Sequence, residues 1–183
     1  MLDYVEVFFA SVFPALQEHF RERTSKELIV IVAYAYARTK YTECMHGLQE
    51  EQGLDNDWYP RIMSVDGSKG HTAAMAFFDG SMEHGDRMGF LKDPKRCNVA
   101  MTRATEVFWM IGGPLLRKNY EDDEEAPFYK LRQQLAATGQ VIDFPTPKLR
   151  TIDRLKAKAK ARDGEPAQRR DVALRPKQPA FRR

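Results

Sequence analysis

The sequence has 183 residues, 43% hydrophobic and 30% charged, with a formal net charge of +3. That length suits a compact domain with an appendage and excludes two full α/β domains; eleven Phe, seven Tyr and two Trp supply a core and exclude wholesale disorder. The charge is unevenly placed: residues 150–183 hold twelve Lys/Arg against four Asp/Glu, a balance of +8, which leaves −5 on the other 149 residues.

From Leu2 to Arg23 the residues Val5, Phe8, Phe9, Val12, Phe13, Leu16 and Phe20 recur at helical spacing, and Pro14 is expected to kink or split that helix. Asp3 and Glu6 stand where an export signal would carry Lys or Arg, so none is expected. The run Leu28-Ile29-Val30-Ile31-Val32-Ala33-Tyr34 reads as a strand buried on both faces, as in parallel sheets. Its apolar extension to Ala37 falls far short of the roughly 20 residues of a membrane helix. Residues 38–52 return to helical periodicity through Tyr41, Met45 and Leu48, with Gly53 as the stop. Arg61–Val65 and Ala73–Phe78 predict two further strands, the second followed by a loop from Asp79 to Gly89.

Asp93 and Pro94 predict a helix cap and first position for a helix reaching about Arg103. A fourth strand is expected at Val107–Ile111, closed by Gly112-Gly113-Pro114, then a helix carrying Phe128, Leu131 and Leu135 and a short edge strand at Val141-Ile142. Strands alternating with helices predict an α/β layer on a parallel sheet. Lys148 to Arg162 is Lys/Ala-rich and helix-prone without a wide apolar face, so it is expected to add little to the core. From Asp163 the Gly, Pro, Gln and Arg content predicts disorder. The organisation expected is a lobe over residues 1–147 and a basic tail over 148–183.

Doubly wound sheets bind ligands at the carboxyl ends of their strands. One polar, glycine-bearing segment in such a place is Ser64-Val65-Asp66-Gly67-Ser68-Lys69-Gly70, readable as a close approach to a ligand or as an ordinary tight turn. A second is Gly89-Phe90-Leu91-Lys92-Asp93-Pro94-Lys95-Arg96-Cys97-Asn98-Val99-Ala100-Met101-Thr102-Arg103-Ala104. There Lys95, Arg96 and Arg103 offer cations, and planar guanidinium groups suit phosphate oxygens.

These two segments, followed by an apolar strand and Gly, resemble the second lobe of superfamily 1 helicases, in particular the nonsense-mediated-decay and senataxin-like branch. The resemblance runs from about Val5 to Val141 and implies a RecA-like fold: a parallel sheet flanked by helices, like the second lobe of a P-loop NTPase. It implies that Arg103 is the arginine finger that reaches the γ-phosphate of ATP, with Arg96 a second arginine near the nucleotide. Asp66, Gly67 and Gly70 would form the strand-end loop between nucleotide and nucleic acid, and Ser64, Lys69, Asn98 and Thr102 would face single-stranded RNA or DNA.

The chain departs from that pattern at several positions. Lys69 replaces the family's usual Gln, Thr72 its Glu, and Ala33-Tyr34-Ala35-Tyr36-Ala37-Arg38 its Thr-Pro-Tyr-x-x-Gln. No Gly-x-x-x-x-Gly-Lys-Ser/Thr is present; Gly80 and Gly85 have the spacing, but Asp86-Arg87 follows. ATP and Mg²⁺ are therefore expected only in combination with a first lobe, in cis or in trans, that carries the phosphate loop. The rival expectation is a non-enzymatic nucleic-acid-binding or scaffold module derived from such a lobe.

The remaining features are weaker. Cys44 and Cys97 are too few and too far apart for a zinc site or a disulfide framework, so no metal is expected despite His46 near Cys44, and His19, His71 and His84 are isolated. Trp58-Tyr59 could stack on a base or sit partly buried before a strand. The basic tail could grip phosphates, serve as a localisation patch or aid solubility. With no membrane segment expected, the nucleus or cytoplasm is the expected location.

Overall fold

The computed structural model describes residues 4–19, 27–53, 59–80, 91, 93–112, 127–141 and 151–163. Four strands form a parallel sheet: β1 (Leu28–Val32), β2 (Arg61–Ser64), β3 (Ala73–Asp79) and β4 (Ala104–Ile111), in the order β2-β1-β3-β4. Helices α1 (Tyr4–Val7), α2 (Phe13–His19), α3 (Ala35–Gln52) and α6 (Thr151–Asp163) lie on one side, α4 (Pro94–Met101) and α5 (Pro127–Ala137) on the other.

The two faces follow from the period of β1. Leu28, Val30 and Val32 point into the first cluster, Ile29 and Ile31 into the second, and all five are fully buried. Each such side chain contributes roughly 1.5–3 kcal/mol by leaving water. On the first face Phe8 is the hub, its ring 4.7 Å from Phe77, 5.3 Å from Tyr41 and 5.6 Å from Phe13. On the second, Phe78 stacks on Phe128 at 4.9 Å, over Cys97 and Ala100 of α4.

Pro14 does not split the first helix. Residues 4–19 stay helical, with a π turn over Phe8–Val12 that joins α1 to α2. Proline has no N–H for the Ala10 carbonyl and its ring crowds that carbonyl, so the ladder widens just before it: Phe13 N–H donates to the Phe8 carbonyl, five residues back.

The stops and caps fall close to their expected places. Gly53 sits at φ 63° and donates its N–H to the Gln49 carbonyl at 2.8 Å, closing α3. Asp93 Oδ1 accepts the Lys95 N–H at 2.9 Å, with Pro94 at the first position of α4. Some boundaries move: strand β1 ends at Val32 rather than Tyr34. The third helix begins at Ala35 rather than residue 38. Helix α4 ends at Met101, two residues before Arg103. Strand β4 starts at Ala104, because pairing with Ala73 recruits the exposed Thr105 and Glu106, which no apolar pattern marks. Val141 lies in no strand, and Ile142 is outside the described residues.

The larger correction concerns Lys148 to Arg162. Helix α6 packs along α3, and its Ile152 and Leu155 enter the first core cluster, Leu155 fully buried. Two apolar residues suffice because Gly47 lets the helices touch backbone to backbone: a Cβ there would lie 1.9 Å from the Leu155 carbonyl oxygen. Arg154 pairs with Glu51 and Lys156 with Glu43, and the buried Glu6 accepts the Ile152 N–H at 2.8 Å. The disorder expected beyond Asp163 falls outside the described residues.

Gly47 gives the test. In a free helix alanine is favoured over glycine by about 1 kcal/mol, so Gly47→Ala would stabilise α3 alone. Here the clash reverses the sign, and urea titration should show a loss of about 1–3 kcal/mol. A gain in stability would show that α6 does not dock on α3.

Candidate functional site

Every connection in a parallel sheet must carry the chain from the carboxyl edge back to the amino edge. Between β2 and β3 only residues 65–72 are available. Ser64 is level with Val32, and Val32 with Asp79, so this crossover starts level with the end of β3 and must reach its beginning. A single 3₁₀ turn at Asp66–Ser68, Val65 buried beneath it and Gly70 at φ 78° make the descent. Helix α4 descends on the same face, and the sequence-predicted site residues are the ties between the two.

The upper tie is ionic. Asp66 Oδ1 lies 3.0 Å from Lys69 Nζ, and Oδ2 lies 3.6 Å from Arg96 Nε in the first turn of α4. The Lys69 hydrogen bond, aided by the charges of Lys69 and Arg96 against some desolvation, holds the Asp66 carboxyl below its ordinary value. All three side chains are substantially exposed, so the cluster adds little to stability. The turn itself is fixed by Ser64 Oγ, which accepts the Gly67 N–H at 3.1 Å, and by the buried Ser68 hydroxyl, which donates to the Val65 carbonyl at 2.7 Å. Gly67 suits its place because a Cβ would lie 2.9 Å from Ser64 Oγ.

The lower tie centres on Arg103. Its Nη1 donates to the Ser68 and His71 carbonyls at 3.3 and 3.2 Å. Nε donates to the Val99 carbonyl at 2.8 Å, and Nη2 to the Thr102 hydroxyl at 2.9 Å. Four of the five guanidinium N–H groups are thus committed within the lobe. Thr102 in turn donates its hydroxyl to the Asn98 carbonyl at 2.7 Å, while the Asn98 side chain is exposed. The Ala73 N–H donates to the Arg103 carbonyl at 3.0 Å, which places Arg103 at the amino edge of the sheet.

The structure therefore brings the site residues into two groups. Asp66, Lys69 and Arg96, with Ser64 and Gly67, lie near the carboxyl edge; Arg103, Thr102 and Asn98 lie at or toward the amino end of the same seam. Of the segment Gly89 to Ala104, read as a carboxyl-edge loop, Arg96 lies near that edge and Arg103 at the amino edge, while residues 89, 90 and 92 are outside the described residues. Patterning could not reveal that Arg103 is consumed by carbonyls 32 and 35 residues away.

Anionic groups such as nucleotide phosphates fit this seam in part. Arg96 and Lys69 are exposed cations that already hold a carboxylate, whereas Arg103 would have to exchange carbonyl partners for phosphoryl oxygens. Such an exchange replaces bonds that are already charge-assisted on the donor side, and it leaves the carbonyls of Val99, Ser68 and His71 to find other donors.

The other candidates fall away from the seam. Tyr59 is buried, its hydroxyl against the Leu48 carbonyl at 3.5 Å and Gln52 Oε1 at 3.3 Å, and burial pushes its pKa up to about 12; it is not open to a base. Trp58, His84 and the stretch 81–90 that carries Asp86-Arg87 lie outside the described residues, as does the His19 side chain. Cys97 donates its thiol to the Leu91 carbonyl at 3.0 Å, and burial, with Asp93 nearby, pushes its pKa up to about 12. Cys44 is buried while His46 is exposed, and among the described residues no three His, Cys, Asp or Glu side chains cluster as metal ligands. No helix among the described residues is long and apolar enough to cross a membrane.

A family model described as an AAA domain matches residues 6–114, more than half of the chain, and spans both ties of the seam. No curated protein matches the chain.

The ionic tie can be tested by titration. Because the folded-state value of Asp66 is depressed, its stabilising effect is present above its ordinary value of 3.8 and is lost only as pH falls through the lower folded value. NMR of the Asp66 carboxyl carbon should place its midpoint below 3.8, and Lys69→Gln should move the midpoint upward. An unmoved midpoint would remove Lys69 from the cluster.

Proposed function

The chain belongs to the AAA domain family, a domain found in the C-terminal regions of superfamily 1 helicases, and on that premise we propose that it is the C-terminal RecA-like lobe of an ATP-dependent RNA/DNA helicase. The observation that carries this reading is the seam: Arg96, in the first turn of α4, and Arg103, just past the end of that helix, both reach the β2–β3 crossover, Arg96 at the Asp66 carboxylate and Arg103 at the Ser68 and His71 carbonyls. The nonsense-mediated-decay and senataxin-like branch remains part of the proposal.

In this reading Arg103 is the finger for the γ-phosphate and Arg96 the second cation, both directed at a nucleotide held by a partner lobe in cis or in trans. That lobe supplies the phosphate loop, and ATP with Mg²⁺ is bound only in the combination. Asp66, Gly67 and Gly70 couple the cleft to a groove for single-stranded RNA or DNA lined by Ser64, Lys69, Asn98 and Thr102. Asp66 occupies its two cations as a phosphate would, so a bound anion displaces a weak, exposed ion pair rather than a buried one.

A second reading, a scaffold derived from such a lobe, is favoured by one observation: Arg103 is satisfied by three carbonyls and a hydroxyl of its own lobe. There the arginine holds the crossover in place and never meets a nucleotide.

The readings part on one experiment. Fused to a first lobe that carries a phosphate loop, the chain should support nucleic-acid-stimulated ATP hydrolysis, and the unfused chain should support none. Arg103→Ala in the fusion should cost about 10³-fold in turnover, and Arg103→Lys should not restore it, because a point charge cannot replace the planar fork. Both variants should also lose about 1–3 kcal/mol of stability as the lower tie goes. Turnover is therefore measured well below each melting temperature. A wild-type fusion with no stimulated turnover, but with the same stability loss in Arg103→Ala, would establish the scaffold.

A further inference from the structure

The contact between α3 and α6 has a direction. Arg154 meets Glu51, Leu155 lies against Gly47, and Lys156 meets Glu43, so numbers rise along α6 as they fall along α3. The helices are antiparallel. Helix α3 begins just after the carboxyl end of β1, so α6 climbs toward the carboxyl edge of the sheet. From Leu155 to Lys160 the rise is about 7.5 Å, which sets Lys160 level with Thr42, about two turns below the start of α3.

The two helices are also polarised along this axis. Residues 36, 40, 43, 47 and 51 form one stripe of α3, and α6 covers its lower part. At the lower end Glu50, Glu51 and Asp153 outnumber Arg154. In the middle Glu43 is matched by Lys156. Nearer the carboxyl edge the charged residues are Lys40 on α3 and Lys158 and Lys160 on α6, the last two exposed. At the top of the stripe Tyr36 is 54% exposed, the most exposed large apolar side chain among the described residues, with Lys40 Nζ 4.5 Å from its ring centroid.

We propose that this end of the α3–α6 pair is a binding surface for single-stranded nucleic acid, with Lys158 and Lys160 on phosphates and Tyr36, backed by Lys40, stacking a base. An exposed ring with one lysine against it and two exposed lysines on the adjoining helix has the two parts such a surface needs, a π-face for the base and charge for the backbone. The acidic lower end repels a polyanion and so confines the strand to the carboxyl edge. The proposal rests on the nucleic-acid part of the reading above, extends it from the seam to the opposite face of the sheet, and makes α6 the element that fixes basic residues there.

The test uses the full chain and a fluorescein-labelled oligo(U) of fifteen nucleotides, followed by anisotropy across a salt series. Lys158→Glu with Lys160→Glu should flatten the log–log salt dependence by about 1.4, the value for two phosphate contacts on a single strand. Tyr36→Ala should weaken binding about 5-fold or more with the slope unchanged, because stacking releases no counterions. Circular dichroism and melting confirm that each variant keeps α6. Unchanged affinity and slope in the lysine variant would overturn the proposal. So would a Tyr36→Ala protein that binds normally, or lysine-dependent binding to phosphatidylserine vesicles as tight as to the oligonucleotide. Lys69→Glu separates the two surfaces: a loss there, with none at Tyr36, Lys158 and Lys160, would keep the seam as the groove and dismiss this surface.

Discussion

Strand β1 presents no side chain to water on either face, and the rest of the molecule is arranged to keep it so. A strand of that kind needs parallel neighbours on both edges and a layer on both faces. Parallel neighbours in turn force every connection to recross the sheet. The chain uses a whole helix for the crossover from β1 to β2 and only eight residues for the one from β2 to β3. So short a segment cannot bury much, and its backbone carbonyls must find donors elsewhere. Arg103 provides them. The residues that look functional in the sequence are therefore also the ones that make the shortest crossover possible, and the two roles cannot be pulled apart by inspection.

Much of this was legible from local chemistry. The five-residue core of β1, the Asp93-Pro94 start and the Gly53 stop each follow from rules that act within a few residues. The two segments stood out in the sequence through their glycines and cations, and the structure brings them together along one seam. What stayed hidden depends on distant partners. Nothing in the pattern of residues 148–162 announces a docked helix, since two apolar residues among many cations make no stripe. The missing half of the signal is Gly47, more than a hundred residues earlier. Likewise Ala104, Thr105 and Glu106 join β4 through their partners on β3 and carry no strand pattern of their own.

The position of Lys69 shows how a departure from a family pattern can be absorbed. A side chain that would otherwise offer an amide brings an ammonium group, and Asp66 takes it up. The cluster gains a cation without a buried charge, and the price is a carboxylate that stays ionised further into acid. Chemistry at the seam is thus tuned by a surface contact, while the hydrophobic layers beneath it are untouched.

The hydrogen bond from the Ile152 N–H to the Glu6 carboxylate joins residues 146 positions apart, and with it the timing of folding changes. Helix α3 leaves the ribosome long before α6. At roughly 5–20 residues per second, about 5–20 s of synthesis separate Gly53 from Asp163. Throughout that interval the Gly47 face of α3 waits for α6, whereas the second face of the sheet has its elements, with Phe78 and Phe128, before α6 is made. The nascent lobe has all its elements on one side first, and the other side lacks Ile152 and Leu155 until α6 is made.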